Sequence, residues 1–245
     1  MMNCRHMIIG GGGLAVLLVL PSLGFAQSLG SAASFAILAG TTVTNTGSLT
    51  LVQGSVGVSP GTGITGLPTG QPFSGSVHDN DGVAALAQSD LTIAYDALVA
   101  MTCGTDLTGQ DLGGKTLTPG VYCFSSSAGL TGILTLDGQG NPDAVFVFQI
   151  VSTLTTAMNA FVSTINGVQN TNVYWQVGSS ATLGSGTVLK GNIVALTSIT
   201  LNTSVAVEGR ALARNGAVTM DNTFIGDATT PTLAPSWGAV KMLYR

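Results

Sequence analysis

The chain has 245 residues, 45% of them apolar, enough for one large domain or two small ones with a substantial core. Only 7% are charged, with seven Lys and Arg against eleven Asp and Glu, while Gly takes 34 positions and Thr 31. This balance excludes disorder, which needs low hydrophobicity and high charge, and leaves no basic footprint for nucleic acid or for an anionic membrane surface.

Met1 to Ala26 reads as a secretory signal: a short basic start (Arg5, His6), an apolar run from Met7 to Leu20, and small residues at Gly24 and Ala26. An N-terminal membrane anchor is the alternative, but the run is short for a span and is interrupted by Gly10 to Gly13. Cleavage after Ala26 places the mature chain outside the cytoplasm, in the extracellular space or the periplasm, with no membrane contact after signal removal. It also removes Cys4, so Cys103 and Cys123 remain as an even pair in an oxidising compartment and are expected to be bridged. Two Cys and one remaining His, His78, cannot furnish a closed zinc site, so no metal or cofactor is expected.

Residues 27–225 are expected to form a single domain, and residues 226–245 a C-terminal tail. Within the domain one segment stands apart: residues 79–101 lack Pro, and Val83, Leu86, Ala87, Ala94, Leu98 and Met101 recur at helical steps. Asp79, Asn80 or Asp81 would cap this helix. Everything else is short apolar and Thr-rich runs divided by Gly, Ser, Asn and Pro, which reads as many short strands.

Those runs repeat. A core of small residue, apolar residue and Thr occurs as Thr42-Val43-Thr44, Gly63-Ile64-Thr65, Gly129-Leu130-Thr131, Thr153-Leu154-Thr155, Ser180-Ala181-Thr182, Ser198-Ile199-Thr200 and Ala217-Val218-Thr219. The copies recur at similar short intervals except between Thr65 and Thr131, and that one large gap holds the helix and both cysteines. Each copy follows an apolar strand, such as Val145 to Ile150 or Val173 to Val177, and most precede another, such as Ile133 to Leu136. Three strands per turn describe a mostly-β fold, a β-solenoid of triangular cross-section whose coils bury their inward side chains against one another. Val145 to Phe148 is apolar on both alternating sides, as expected where the long helix packs alongside.

In each core the middle residue points inward, so its neighbours point to solvent. In register they form two files, one all Thr (44, 65, 131, 155, 182, 200, 219) and one of Thr42, Gly63, Gly129, Thr153, Ser180, Ser198 and Ala217. Such a face is uncharged, and Thr, stiff at χ1, holds each methyl and hydroxyl in place. A regular array of this kind suits a crystal surface through ordered water better than an irregular or charged ligand. Exposed strands also favour Thr for its β-propensity alone, so a non-catalytic adhesin or structural solenoid module is the competing reading. An enzyme is not expected: the one local cluster, His78, Asp79 and Asp81, sits at a helix start where capping explains it, and no nucleophile elbow, HExxH or phosphate loop occurs in context.

The stretches SAASFAILAGTTVTNTG (31 to 47), GSVGVSPGTGITGLP (54 to 68), LTPGVYCF (117 to 124), NVYWQVGSSATLG (172 to 184), KGNIVALTSITL (190 to 201) and EGRALARNGAVTMDN (208 to 222) are similar to the secreted microbial ice-binding (antifreeze) family. The resemblance runs from about Leu29 to Ile225. It implies a right-handed, discontinuous β-solenoid in which N-terminal coils pack against C-terminal ones, with a long helix along one face. It also implies adsorption to ice through a flat face, with the ice crystal surface and its ordered water as partner, and inhibition of ice growth or recrystallisation; separately, a monomer is expected. On the strands derived above, that face would hold Thr42, Thr44, Thr65, Thr131, Thr153, Thr155, Ser180, Thr182, Ser198, Thr200, Ala217 and Thr219. Thr65 and Thr131 are each followed by Gly and Thr44 by Asn45, which marks the first three rungs as the least regular. The Cys103 and Cys123 pair would be structural.

Overall fold

The computed structural model describes residues 28–67 and 74–226. The expected signal at 1–26, nearly all of the expected tail, and Trp237 lie outside them. Short parallel strands turn through three faces, as the repeat spacing predicts.

One face is built from Val77–Asp79, Ser55–Val58, Phe35–Ala39, Ala206–Ala213, Val188–Ala195, Val173–Val177, Phe146–Ile150, Gly120–Phe124 and Thr105–Asp106, in that spatial order. The strands Val188–Ala195 and Ala206–Ala213 are eight residues long and bend into a second face, where they join Leu51–Gln53, Phe224–Gly226, Phe161–Ile165, Ile133–Asp137 and Thr116–Leu117. The third face is a separate seven-stranded sheet. Spatial order departs from chain order at one place: Phe35–Ala39 pairs with Ala206–Ala213, Ile37 opposite Ala211, so the N-terminal coils stack onto the C-terminal coil as the resemblance implied.

Most inward side chains set by period-two alternation are apolar, while the buried Thr156 and Thr187 hydroxyls bond to each other at 2.7 Å. Tyr122, Phe148 and Trp175 hold equivalent positions on successive strands, and their rings stack at centroid separations of 5.6 and 4.0 Å. The buried Trp175 ring donates its Nε1–H to the Lys190 carbonyl at 2.9 Å, so its polar atom is satisfied.

The helix spans Gly82–Val99, 18 residues and so roughly 27 Å, and lies across the first face. Asp81 is its N-cap, accepting from the backbone N–H of Val83 and Ala84. Its buried stripe is Ala84, Ala87, Leu91, Ala94, Tyr95 and Leu98, packed on Phe35, Leu38, Val147, Tyr174, Val194 and Leu212. This corrects the expected stripe: Val83 and Leu86 are 50% and 57% exposed. Three alanines on the buried side keep the helix close to the sheet, and the spacing 84, 87, 91, 94, 95, 98 turns the larger apolar residues Val83 and Leu86 outward. Val147 does lie beneath the helix, as its strand pattern implied. Ahead of the first strand, a short 3-10 turn at Gly30–Ser34 docks on the helix, with the Ser31 backbone N–H and hydroxyl both donating to Asp90, at 2.7 and 2.6 Å.

Cys103 and Cys123 are bridged, with Cα atoms 5.9 Å apart, tying the segment after the helix to the Gly120–Phe124 strand. Closing a loop of this size stabilises by roughly 3 kcal/mol in the chain-entropy model.

Candidate functional site

The three faces offer different surfaces. The first is covered by the helix. The second carries the Lys190–Glu208 ion pair at 3.0 Å and a file that includes the bulky rings of Phe161 and Phe224. The third is the Thr-core sheet, in the spatial order Ala128–Leu130, Leu154–Thr156, Ala181–Leu183, Ile199–Leu201, Val218–Met220, Val43–Asn45, Ile64–Thr65.

Its inward residues Leu154, Ala181, Ile199, Val218 and Val43 are completely buried, and Ile64 is half-buried at the edge. Each middle residue must therefore present its neighbours to solvent. Strand pairing sets Thr155 beside Thr182, Thr182 beside Thr200, Thr200 beside Thr219, Thr219 beside Thr44 and Thr44 beside Thr65. Six threonines thus stand in one unbroken row, about 24 Å from first to last at the usual strand spacing. None of the six is buried, and none of their hydroxyls bonds to a described residue.

The parallel second file reads Ser127, Thr153, Ser180, Ser198, Ala217, Thr42, Gly63, linked by continuing backbone bonds. Its hydroxyls are partly committed. Thr153 donates to Ser127 at 2.8 Å, while Ser180 and Ser198 accept from the backbone N–H of Ser198 and Ala217. The outer row is thus free to meet water and the second row is partly turned inward, a distinction the sequence does not reveal.

One expected rung is misplaced. Gly129, not Thr131, stands beside Thr155, and Ser127 takes the place expected of Gly129. Thr131 lies one outward position further along its strand, where its hydroxyl donates to Asp111 at 3.1 Å. The reason is that Ala128 and Leu130 both point inward, so either register satisfies the alternation. The neighbouring face decides: Gly120–Phe124 pairs with Phe146–Ile150, Gly120 opposite Phe146, and the same offset carried round the corner sets Ala128 opposite Leu154. The other early rungs, Thr44 and Thr65, are in register despite the residues that follow them.

Elsewhere several charged groups have structural partners. His78 Nδ1 lies 2.7 Å from Asp81, whose carboxyl is held below its ordinary range first by the N–H of Ala84 and then by His78. Arg214 pairs with Asp96 of the helix at 3.2 Å, Arg210 donates to the Ala33 carbonyl and to Asn192, and Asp221 accepts from the Thr203 hydroxyl. Among the described residues no group of three His, Cys, Asp or Glu is placed to hold a metal ion, and no helix is long and apolar enough to cross a membrane.

A family model described as ice-binding-like matches residues 37–226. An ice-binding protein of Nostoc sp. (strain HG1) is 57% identical over 201 residues, covering 82% of this chain and 74% of the relative. The crystal structure of an ice-binding protein from an Antarctic biological consortium is similar with a TM-score of 0.78 at 46% identity, covering 81% of this chain and 90% of that one. That of an ice-binding protein from the Antarctic ascomycete Antarctomyces psychrotrophicus gives 0.77 at 38% identity, covering 81% and 97%. With the family match running through every strand of the seven-stranded sheet, and the same fold in relatives this similar, the chain belongs to the ice-binding-like family of β-solenoid proteins.

Proposed function

We propose that this protein adsorbs to ice through its seven-stranded face and thereby slows ice growth or recrystallisation. The observation that carries this reading is the row Thr155, Thr182, Thr200, Thr219, Thr44 and Thr65, whose hydroxyls bond to no described residue. Each hydroxyl binds a water at a position fixed by a stiff χ1 and by the backbone repeat. Water held in this way bridges nearly as well as a direct contact at little entropic cost, so the ordered layer can merge with a lattice. Charged side chains would keep their own disordered hydration, and both central files lack them. The second file, with Thr42, Thr153, Ser180, Ser198 and Ala217, flanks the row and supports the same layer. On this reading residues 27–225 are a secreted, monomeric, non-catalytic unit whose partner is the ice surface and which needs no cofactor.

The test is to watch an ice crystal in dilute purified protein and compare Thr155→Tyr and Thr200→Tyr with a substitution on the helix-covered side, such as Ile93→Ala. Wild type should shape and arrest the crystal, the two face variants should do so weakly, and Ile93→Ala should match wild type. Unaltered crystal growth in folded wild type would end the reading, and an effect confined to Ile93→Ala would reassign the face.

A further inference from the structure

Beyond Thr155 the Thr file continues as Gly129 and then Asp111. This residue makes an isolated parallel bridge to Gly129, which puts it at the next position of the Thr file, one strand beyond Gly129. Its Oδ1 accepts the backbone N–H of Gly113 at 2.7 Å and of Thr131 at 3.0 Å, and its Oδ2 accepts the Thr131 hydroxyl at 3.1 Å. The carboxylate is therefore held in place at the surface, at the end of a file that otherwise has no charge.

The same group crowds Gly129. A Cβ built there would meet a single atom, Asp111 Oδ2, at 3.0 Å. Its backbone is not left-handed, so nothing but Asp111 resists a side chain at this position.

Resting on the proposed ice-binding reading, we infer that Asp111 is the boundary residue that sets the extent of the ice-binding face. It holds its own hydration where the next ordered water would lie, crowds any side chain at Gly129, and engages the Thr131 hydroxyl beside it. The row consequently ends at Thr155 although the sheet continues.

The experiment measures thermal hysteresis at equal concentration for wild type, Asp111→Thr/Gly129→Thr, Gly129→Thr alone, Asp111→Asn and Thr182→Tyr, each checked for fold by circular dichroism. The double variant lengthens the row from six threonines to eight, and its hysteresis should rise by about a third or more. Gly129→Thr alone should give no gain, because the carboxylate still abuts the new side chain. Asp111→Asn removes the charge, keeps an acceptor for Gly113 and Thr131, and should give a smaller rise. A folded double variant with wild-type hysteresis overturns the boundary role, as does an equal gain from Gly129→Thr alone. If the double variant does not fold, Asp111→Asn decides, wild-type hysteresis there being the overturning result. Thr182→Tyr separates the two levels: if it leaves hysteresis intact, the ice-binding face itself is wrong, whereas its loss alongside an unimproved double variant refutes only the boundary.

Discussion

Because the N-terminal coils stack beyond the C-terminal one, Thr44, the first copy in the chain, stands inside the row between Thr219 and Thr65. Replacing a threonine by tyrosine raises a ring over a row whose neighbours are only about 4.8 Å away on each side, so one substitution disables its own position and both flanking ones. Thr65→Tyr then spares Thr155 to Thr219, about two-thirds of the row. Thr44→Tyr spares Thr155, Thr182 and Thr200, about half, and Thr200→Tyr leaves no run longer than Thr44 and Thr65, about a third. Thermal hysteresis at matched concentration should therefore fall in the order Thr65→Tyr, Thr44→Tyr, Thr200→Tyr, with Thr200→Tyr the weakest protein. Nanolitre osmometry on samples of equal helix and strand content measures it. A stack in chain order would make Thr44 terminal and Thr65 its interior neighbour. The reasoning is refuted if Thr65→Tyr costs more than Thr44→Tyr, or if all three cost the same.

Two predictions concern the scaffold. Leu91 is fully buried between helix and solenoid, so Leu91→Ala should cost about 3 kcal/mol and lower Tm by about 6–12 °C. A calorimetric shift below about 2 °C would show that the helix does not depend on this packing; hysteresis measured well below Tm should be unchanged, since Leu91 is not on the Thr face. Asp90 is held below its ordinary value of 3.8, first by the Ser31 hydroxyl and then by the Ser31 N–H. A carboxyl depressed in the folded state stabilises fully above its unfolded value and loses that contribution as pH falls through the folded one. Acidification below about pH 4 should therefore destabilise wild type more than Asp90→Asn in thermal melts, and parallel pH profiles would count against the contact.

Much of this molecule is legible in its sequence because a solenoid repeats the same local problem. Alternation of apolar and polar residues in Val173–Val177 or Ala181–Leu183 is a property of each strand alone, and it correctly assigns Leu154, Ala181, Ile199 and Val218 to the interior. The helix and its Asp81 cap are local in the same way, and the Cys103–Cys123 bridge joins residues only 20 apart in the chain.

What failed to show in the sequence is what depends on two segments meeting. Alternation repeats at every second position, so it could not choose between registers for Ala128–Leu130; the pairing of Gly120–Phe124 on another face made that choice and moved Thr131 off the row. The helix's apolar residues surround much of its circumference, so only contact with Phe35, Val147 and Leu212 selects the buried stripe. The position of Thr44, the committed hydroxyls of Ser180 and Ser198, and the carboxylate that ends the row all arise between segments at least a coil apart in the chain, and for Thr44 beside Thr219 from nearly opposite ends of it. Sequence thus determined the coil and what each coil offers the surface. Tertiary stacking decided the order of the coils and where the surface stops, because hydrogen bonds between strands are made by backbone groups that every residue carries alike.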